Sequence, residues 1–180
     1  MTKIKKIYLD MDGVLVDNIL GLAHLENTTI DGIQEQKSNI RKNNPDIDFV
    51  IQLIRKHLYT NKHFSTCPPM KEFHVFTKLI RQWLSNGLHV EILSSGTSGK
   101  DIFHEVCRQK DEWLDTWGLS ILPAHYAMGS SEKQKWAAPD ILLIDDYGKN
   151  IDEFRAAGGH AIQHLNMNDT IVQLQELNLI

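Results

Sequence analysis

Two acids stand one residue apart in Ile7-Tyr8-Leu9-Asp10-Met11-Asp12-Gly13-Val14, at the end of a short apolar run. In a strand, successive side chains alternate faces, so Asp10 and Asp12 point the same way at its end. Carboxylates that close repel each other, and a hard divalent cation is the usual remedy. Gly13 lets the chain turn sharply beside them. A related arrangement recurs where Ile141-Leu142-Leu143-Ile144 stops at Asp145-Asp146. Adjacent side chains need not share a face, so one of that pair can bind a metal while the other hydrogen-bonds a metal-bound water. A third apolar run, Leu88 to Leu93, passes into Ser94-Ser95-Gly96-Thr97-Ser98-Gly99, and Lys133 and Lys135 precede the last run. Hydroxyls donate hydrogen bonds, and glycine lets backbone N–H groups approach an anion. Each feature alone has a plainer reading: a polar turn, a surface loop, solvated lysines. Together they offer carboxylates for a metal, a carboxylate nucleophile, and hydroxyls and a cation for a phosphate.

These groups can meet only if the strands that carry them run parallel, because then their carboxyl ends share one edge of the sheet, where ligands of open α/β sheets bind. Residues 4–9, 88–93 and 141–144 read as strands, as do the shorter 119–122 and 160–164. Unbroken apolar runs such as Val14-Leu15-Val16 suit strands buried on both faces. Helices are expected over 71–86, 101–117, 150–157 and 170–177, the first with Phe73, Phe76, Leu79, Ile80, Trp83 and Leu84 on one face and a stop at Asn86-Gly87. From 17 to 70 the character changes. Helical stretches at 19–26 and 48–59 flank a polar, solvated 37–44, Asn44-Pro45-Asp46 marks a turn, and Thr66-Cys67-Pro68-Pro69 reads as a linker. The expectation is an α/β fold: a Rossmann-like three-layer α/β/α parallel sheet. Residues 1–16 and 71–180 would form the catalytic core, and 17–70 a small helical cap inserted after the first strand.

Length and composition narrow the class. The 180 residues suffice for one core with a small lobe, and 42% apolar and 23% charged residues are ordinary for a globular chain. A net charge of −4 gives no ground for bulk nucleic-acid binding. No stretch is long and apolar enough for a membrane span. Cys67 and Cys107 form no metal spacing and read as free thiols, and the expected location is the cytoplasm. No histidine is assigned to metal. Phe49, Tyr59, His63 and Phe64 could stack on a base, but aromatic packing inside the cap is the favoured reading.

In this order, the motifs resemble those of the haloacid dehalogenase-like (HAD) superfamily of phosphatases. Leu9 to Val14 is similar to the first motif, Ile92-Leu93-Ser94-Ser95 to the second, Lys135 (with Lys133 as fallback) to the third, and Leu142 to Asp146 to the fourth. The helical insertion, and Gly148-Lys149-Asn150-Ile151 after Asp145-Asp146, are most similar to the 5′(3′)-deoxyribonucleotidase branch. The resemblance implies Asp10 as nucleophile and Asp12 as general acid and base. It implies Mg²⁺ held by Asp10, the Asp12 backbone carbonyl, Asp145 and Asp146, and a phosphoryl group bound by Ser94, Ser95, Gly96 and Lys135. Dehalogenases of the superfamily lack the second acid, so Asp12 favours phosphoryl chemistry. A small phosphorylated substrate is expected, a nucleotide first. A nucleic-acid 3′-phosphatase, a sugar phosphatase and a non-catalytic binding module stand as alternatives, and a homodimer is left open.

Overall fold

The computed structural model describes residues 3–45, 48–97 and 99–180. Asp46 and Ser98, named above, lie outside the described residues. Five parallel strands form one sheet: β1 (Lys6–Leu9), β2 (His89–Ser95), β3 (Ala124–Ala127), β4 (Ile141–Asp145) and β5 (His160–Gln163), in the order β3-β2-β1-β4-β5. This is the α/β Rossmann-like arrangement expected from the motifs. Chain order runs outward from β1 in both directions. Right-handed crossovers therefore put α5 (Phe73–Ser85), which leads to β2, and α7 (Gly148–Ala156), which leads to β5, on opposite faces. On the α7 face, Tyr8, Leu93 and Leu143 pack with Ile151, Phe154 and Ala161. Buried Phe76, Leu79, Ile80 and Trp83 form the inner stripe of α5. Helix α8 (Met167–Glu176) follows β5, and the Trp83 indole donates to the Leu179 carbonyl at 3.1 Å. Burial on both faces explains the apolar runs of the central strands, Ile7-Tyr8-Leu9 in β1, Ile92-Leu93 in β2 and Leu142-Leu143-Ile144 in β4.

The strand expected at 119–122 is not there. Leu119 and Leu122 are buried, but in the turn that leaves a helix, where Leu119 N–H closes onto the Leu114 carbonyl at 2.7 Å. The strand is the next four residues, Ala124-His125-Tyr126-Ala127, whose mixed composition carries no apolar run. Strand β2 also extends through Ser94 and Ser95 instead of ending before them.

The chain divides into two compact units. The sheet unit comprises Met1–Val16, Pro69–Ser98 and Ile121–Ile180; the other comprises Asp17–Pro68 and Gly99–Ser120. The second unit contains α1 (Asn18–Leu25), α2 (Ile30–Asn43), α3 (Phe49–Leu58), α4 (His63–Thr66) and α6 (Phe103–Thr116). Its core joins Leu22, Ile33, Phe49, Leu53, Leu58 and Phe64 to Ile102 and Val106. Residues 99–120, assigned from the sequence to the sheet, thus pack among these helices, because Ile102 and Val106 supply an apolar face that the helices of 17–68 cover. Arg55 clamps Asp101 with two hydrogen bonds of 2.8 Å within the same unit. The stretch 37–44 is solvated as expected, but all of it except the capping Asn44 belongs to a 14-residue helix that buries only Ile33. Phe49, His63 and Phe64 are buried, so packing accounts for them, and only Tyr59 exposes its ring.

Candidate active site

Backbone pairing brings the acids together. Leu9 pairs with Ile144 across β1 and β4, and Asp10 N–H continues the ladder to the Ile144 carbonyl at 3.0 Å. Asp10 is therefore level with Asp145. Carboxylate oxygens of Asp10, Asp145 and Asp146 all lie within 4.8 Å of one another. On the other side Leu9 pairs with Ile92, so Ser94, fully buried, sits one residue beyond the level of Asp10. The site lies at the carboxyl end of the sheet where the strand order reverses direction, the position at which such sheets bind ligands.

A turn then holds Asp12. Val14, Leu15 and Val16 N–H groups all point to the Met11 carbonyl, at 3.2, 2.8 and 2.8 Å. Gly13 has φ +76°, and a Cβ there would run into the Asp146 carboxylate. The position accepts only glycine for two reasons at once: backbone conformation and the approach of an acid.

Lys133, not Lys135, is the lysine of this site. It is 1% exposed and reaches Asp10 Oδ2 at 2.7 Å and Asp145 Oδ2 at 2.6 Å. Lys135 points away and pairs with Glu132 at 2.8 Å, its side chain 64% exposed. Both sit in a 3₁₀ segment, Ser130–Trp136. At three residues per turn, positions two apart face different sides. Gly96 also departs from expectation, because its N–H is used by the Ala127 carbonyl at 2.9 Å. Ser95 Oγ accepts from Thr97 N–H at 3.3 Å, and Thr97 holds φ +101°, an unusual conformation for a β-branched residue.

Each acid has a distinct environment. Asp10 Oδ1 accepts from Met11 N–H at 2.7 Å and Oδ2 from Lys133, which fixes the plane of the carboxylate. Asp145 takes donors on both oxygens: Tyr147 N–H at 2.9 Å and Asn150 Nδ2 at 3.1 Å on Oδ1, Lys133 Nζ and Asn150 Nδ2 (2.9 Å) on Oδ2. Asn150 stands in the stretch that carries the branch resemblance but has no role assigned there, and Tyr147 is not singled out by the sequence at all. Asp146 is open to solvent as a residue, but its carboxyl abuts Gly13. Burial of that carboxyl, then Asp10, Asp145 and Asp12, push it up to about 7. Burial opposes charge on Lys133, yet Asp10 and Asp145 hold it above the ordinary lysine range. Four acids around one lysine leave an excess of negative charge, and their hard oxygen donors suit Mg²⁺.

Comparison with solved structures bears on the fold. A HAD-type hydrolase of Bacillus subtilis bound to magnesium superposes with a TM-score of 0.63 at 13% identity, covering 98% of this chain and 100% of that one. A HAD family hydrolase of Deinococcus radiodurans with bound phosphate and sodium gives 0.54 at 12% identity, over 98% of this chain and 89% of that one. A dehalogenase gives 0.57 at 11% identity, over 93% and 88%. The fold is that of the HAD-type hydrolases. No family model and no curated protein matches the sequence. The structures that share this fold thus include one with bound phosphate and a dehalogenase.

Proposed function

We propose that the protein is a Mg²⁺-dependent phosphomonoester hydrolase that works through a phosphoryl group carried on Asp10. The observation behind this reading is the Asp10 carboxylate, buried and oriented by Met11 N–H and Lys133, with a second acid two residues on. An oxygen of Asp10 attacks phosphorus and the ester P–O bond breaks, while Asp12 gives its proton to the departing oxygen. Water then attacks the same phosphorus, Asp12 takes its proton, and the acyl-phosphate P–O bond breaks to release phosphate and restore Asp10. Lys133 offsets the negative charge gathered on Asp10 and the phosphoryl group. Buried Ser94 supports the phosphoryl group from β2. Asp10, Asp145, Asp146 and the Asp12 carbonyl would hold Mg²⁺, and Asp145 also anchors Lys133. When bound, the ion relieves repulsion between the carboxylate and the phosphate dianion.

The two-acid first motif favours this chemistry over carbon–halogen hydrolysis, as the superfamily resemblance implies. The same resemblance makes nucleoside 5′-monophosphates the substrate class to try first. The test is release of p-nitrophenol from its phosphate ester. We expect hydrolysis that needs Mg²⁺, stops with EDTA and is lost in Asp10→Asn. Full activity in Asp10→Asn would overturn the assignment. A release screen over nucleotides, sugar phosphates and 3′-phosphorylated oligonucleotides then ranks the substrate classes.

A further inference from the structure

We propose that Gln163, which lies outside the four motifs, is a positioning residue for the metal ligands: its amide fixes the peptide plane that leaves Asp146 and bonds back to Asp145. The inference rests on the reading above that these two acids hold Mg²⁺. Gln163 closes the β4–β5 ladder, where it pairs with Asp145. From this edge strand its Nε2 donates to the Asp146 carbonyl at 3.0 Å, and among the described residues it is the only donor to that oxygen. The N–H of the same peptide unit belongs to Tyr147 and donates to Asp145 Oδ1 at 2.9 Å. A peptide unit is planar and turns as one body. Its carbonyl and its N–H point to opposite sides, so a bond on each sets how far the plane is turned. One of these bonds ends on the Asp145 carboxylate, and the plane itself begins at the Cα that carries the Asp146 carboxylate. Gln163 therefore supports both acids without touching either side chain.

Gly148 supplies a second observation. It opens α7, although glycine is a weak helix former, and its φ lies outside the left-handed region, so conformation does not call for it. Proximity does. A Cβ at this position would stand 3.3 Å from Gln163 Nε2 and 3.6 Å from its Oε1. The room that glycine leaves is taken by the amide, and an alanine would press on the group that bonds the Asp146 carbonyl. Without the amide, that carbonyl turns to water, and the plane keeps one protein anchor in place of two.

The test uses the intact chain. In metal-free protein, the Tyr147 amide proton should exchange with solvent about tenfold faster in Gln163→Ala than in the wild type. Mg²⁺ titrated calorimetrically should bind Gln163→Ala about fivefold more weakly, less than the usual cost of losing a partner that bonds the ligand atom itself. Gly148→Ala alone should weaken Mg²⁺ by about threefold, and in the Gln163→Ala background by less than about 1.5-fold, because the amide it presses on is gone. Unchanged Mg²⁺ affinity in Gln163→Ala, or the same Gly148→Ala loss in both backgrounds, would overturn the proposal. If the wild type binds Mg²⁺ but hydrolyses no ester, the phosphatase reading fails, while the titration still decides the role of Gln163. A wild type that binds no Mg²⁺ would overturn the metal reading and this role with it. Should Gln163→Ala not fold, Gln163→Met, which keeps the length and loses the donor, takes its place in the exchange and the titration, with the same results expected.

Discussion

At the scale of single residues, the two lysines of the 3₁₀ segment make the sharpest contrast. Lys133 is sealed between two carboxylates, and Lys135 stands in solvent beside Glu132. Lys133→Met should lower kcat by about a hundredfold or more, as loss of a preorganised charge does, and Lys135→Met should stay within about twofold. Steady-state kinetics on one chromogenic ester compares both. Spacing from the fourth motif could not choose between them, because the choice depends on the pitch of a short helix that no periodicity in 130–136 announces. Thr97 invites a second experiment. Its φ of +101° is costly for a β-branched side chain. Thr97→Gly should stabilise the protein by about 1 kcal/mol, read as a higher urea midpoint at unchanged m-value.

At the scale of elements, the legible parts are the strands whose buried apolar residues run together. Ile141 to Ile144 and Leu88 to Leu93 announce themselves because both faces of a parallel strand are covered. Strand β3 hid for the opposite reason. It stands at the edge of the sheet, it is half-buried, and its His125 is satisfied by Glu91 at 2.8 Å. Helix α2 hid because it buries one residue only. Helix α4 carries its own pH response. His63 is fully buried beside Cys67, with His57 and Lys110 nearby, and burial first, then these two neighbours, lower it to about 4 from 6.5. Between those values the unfolded chain holds a proton that the native one lacks. The stability His63 contributes is therefore present above pH 6.5 and is lost as pH falls toward 4. The change amounts to about 3 kcal/mol at most. Urea melts at pH 7 and pH 4.5 should show a smaller drop in His63→Gln than in the wild type; an equal drop would place the response elsewhere.

At the scale of the whole molecule, β1 is the hub. It pairs with β2 on one side and β4 on the other, whereas β3 and β5 are edges. Amide hydrogen exchange should be slowest in β1, β2 and β4 and faster in the two edge strands. The sheet and its acidic rim were readable because motif and burial agree there. The membership of 99–120 was not, because nothing local says which neighbours the apolar face of Ile102 and Val106 will meet.

That membership has a consequence for anyone building chimeras. The helical unit is threaded from two separate stretches of chain, Asp17–Pro68 and Gly99–Ser120. Transplanting the first alone would strip α6 of its companions and leave Leu53 and Phe64 without Ile102 and Val106. A graft from a relative should take only when both stretches are exchanged in the same step, so this half of the molecule behaves as a two-part cassette.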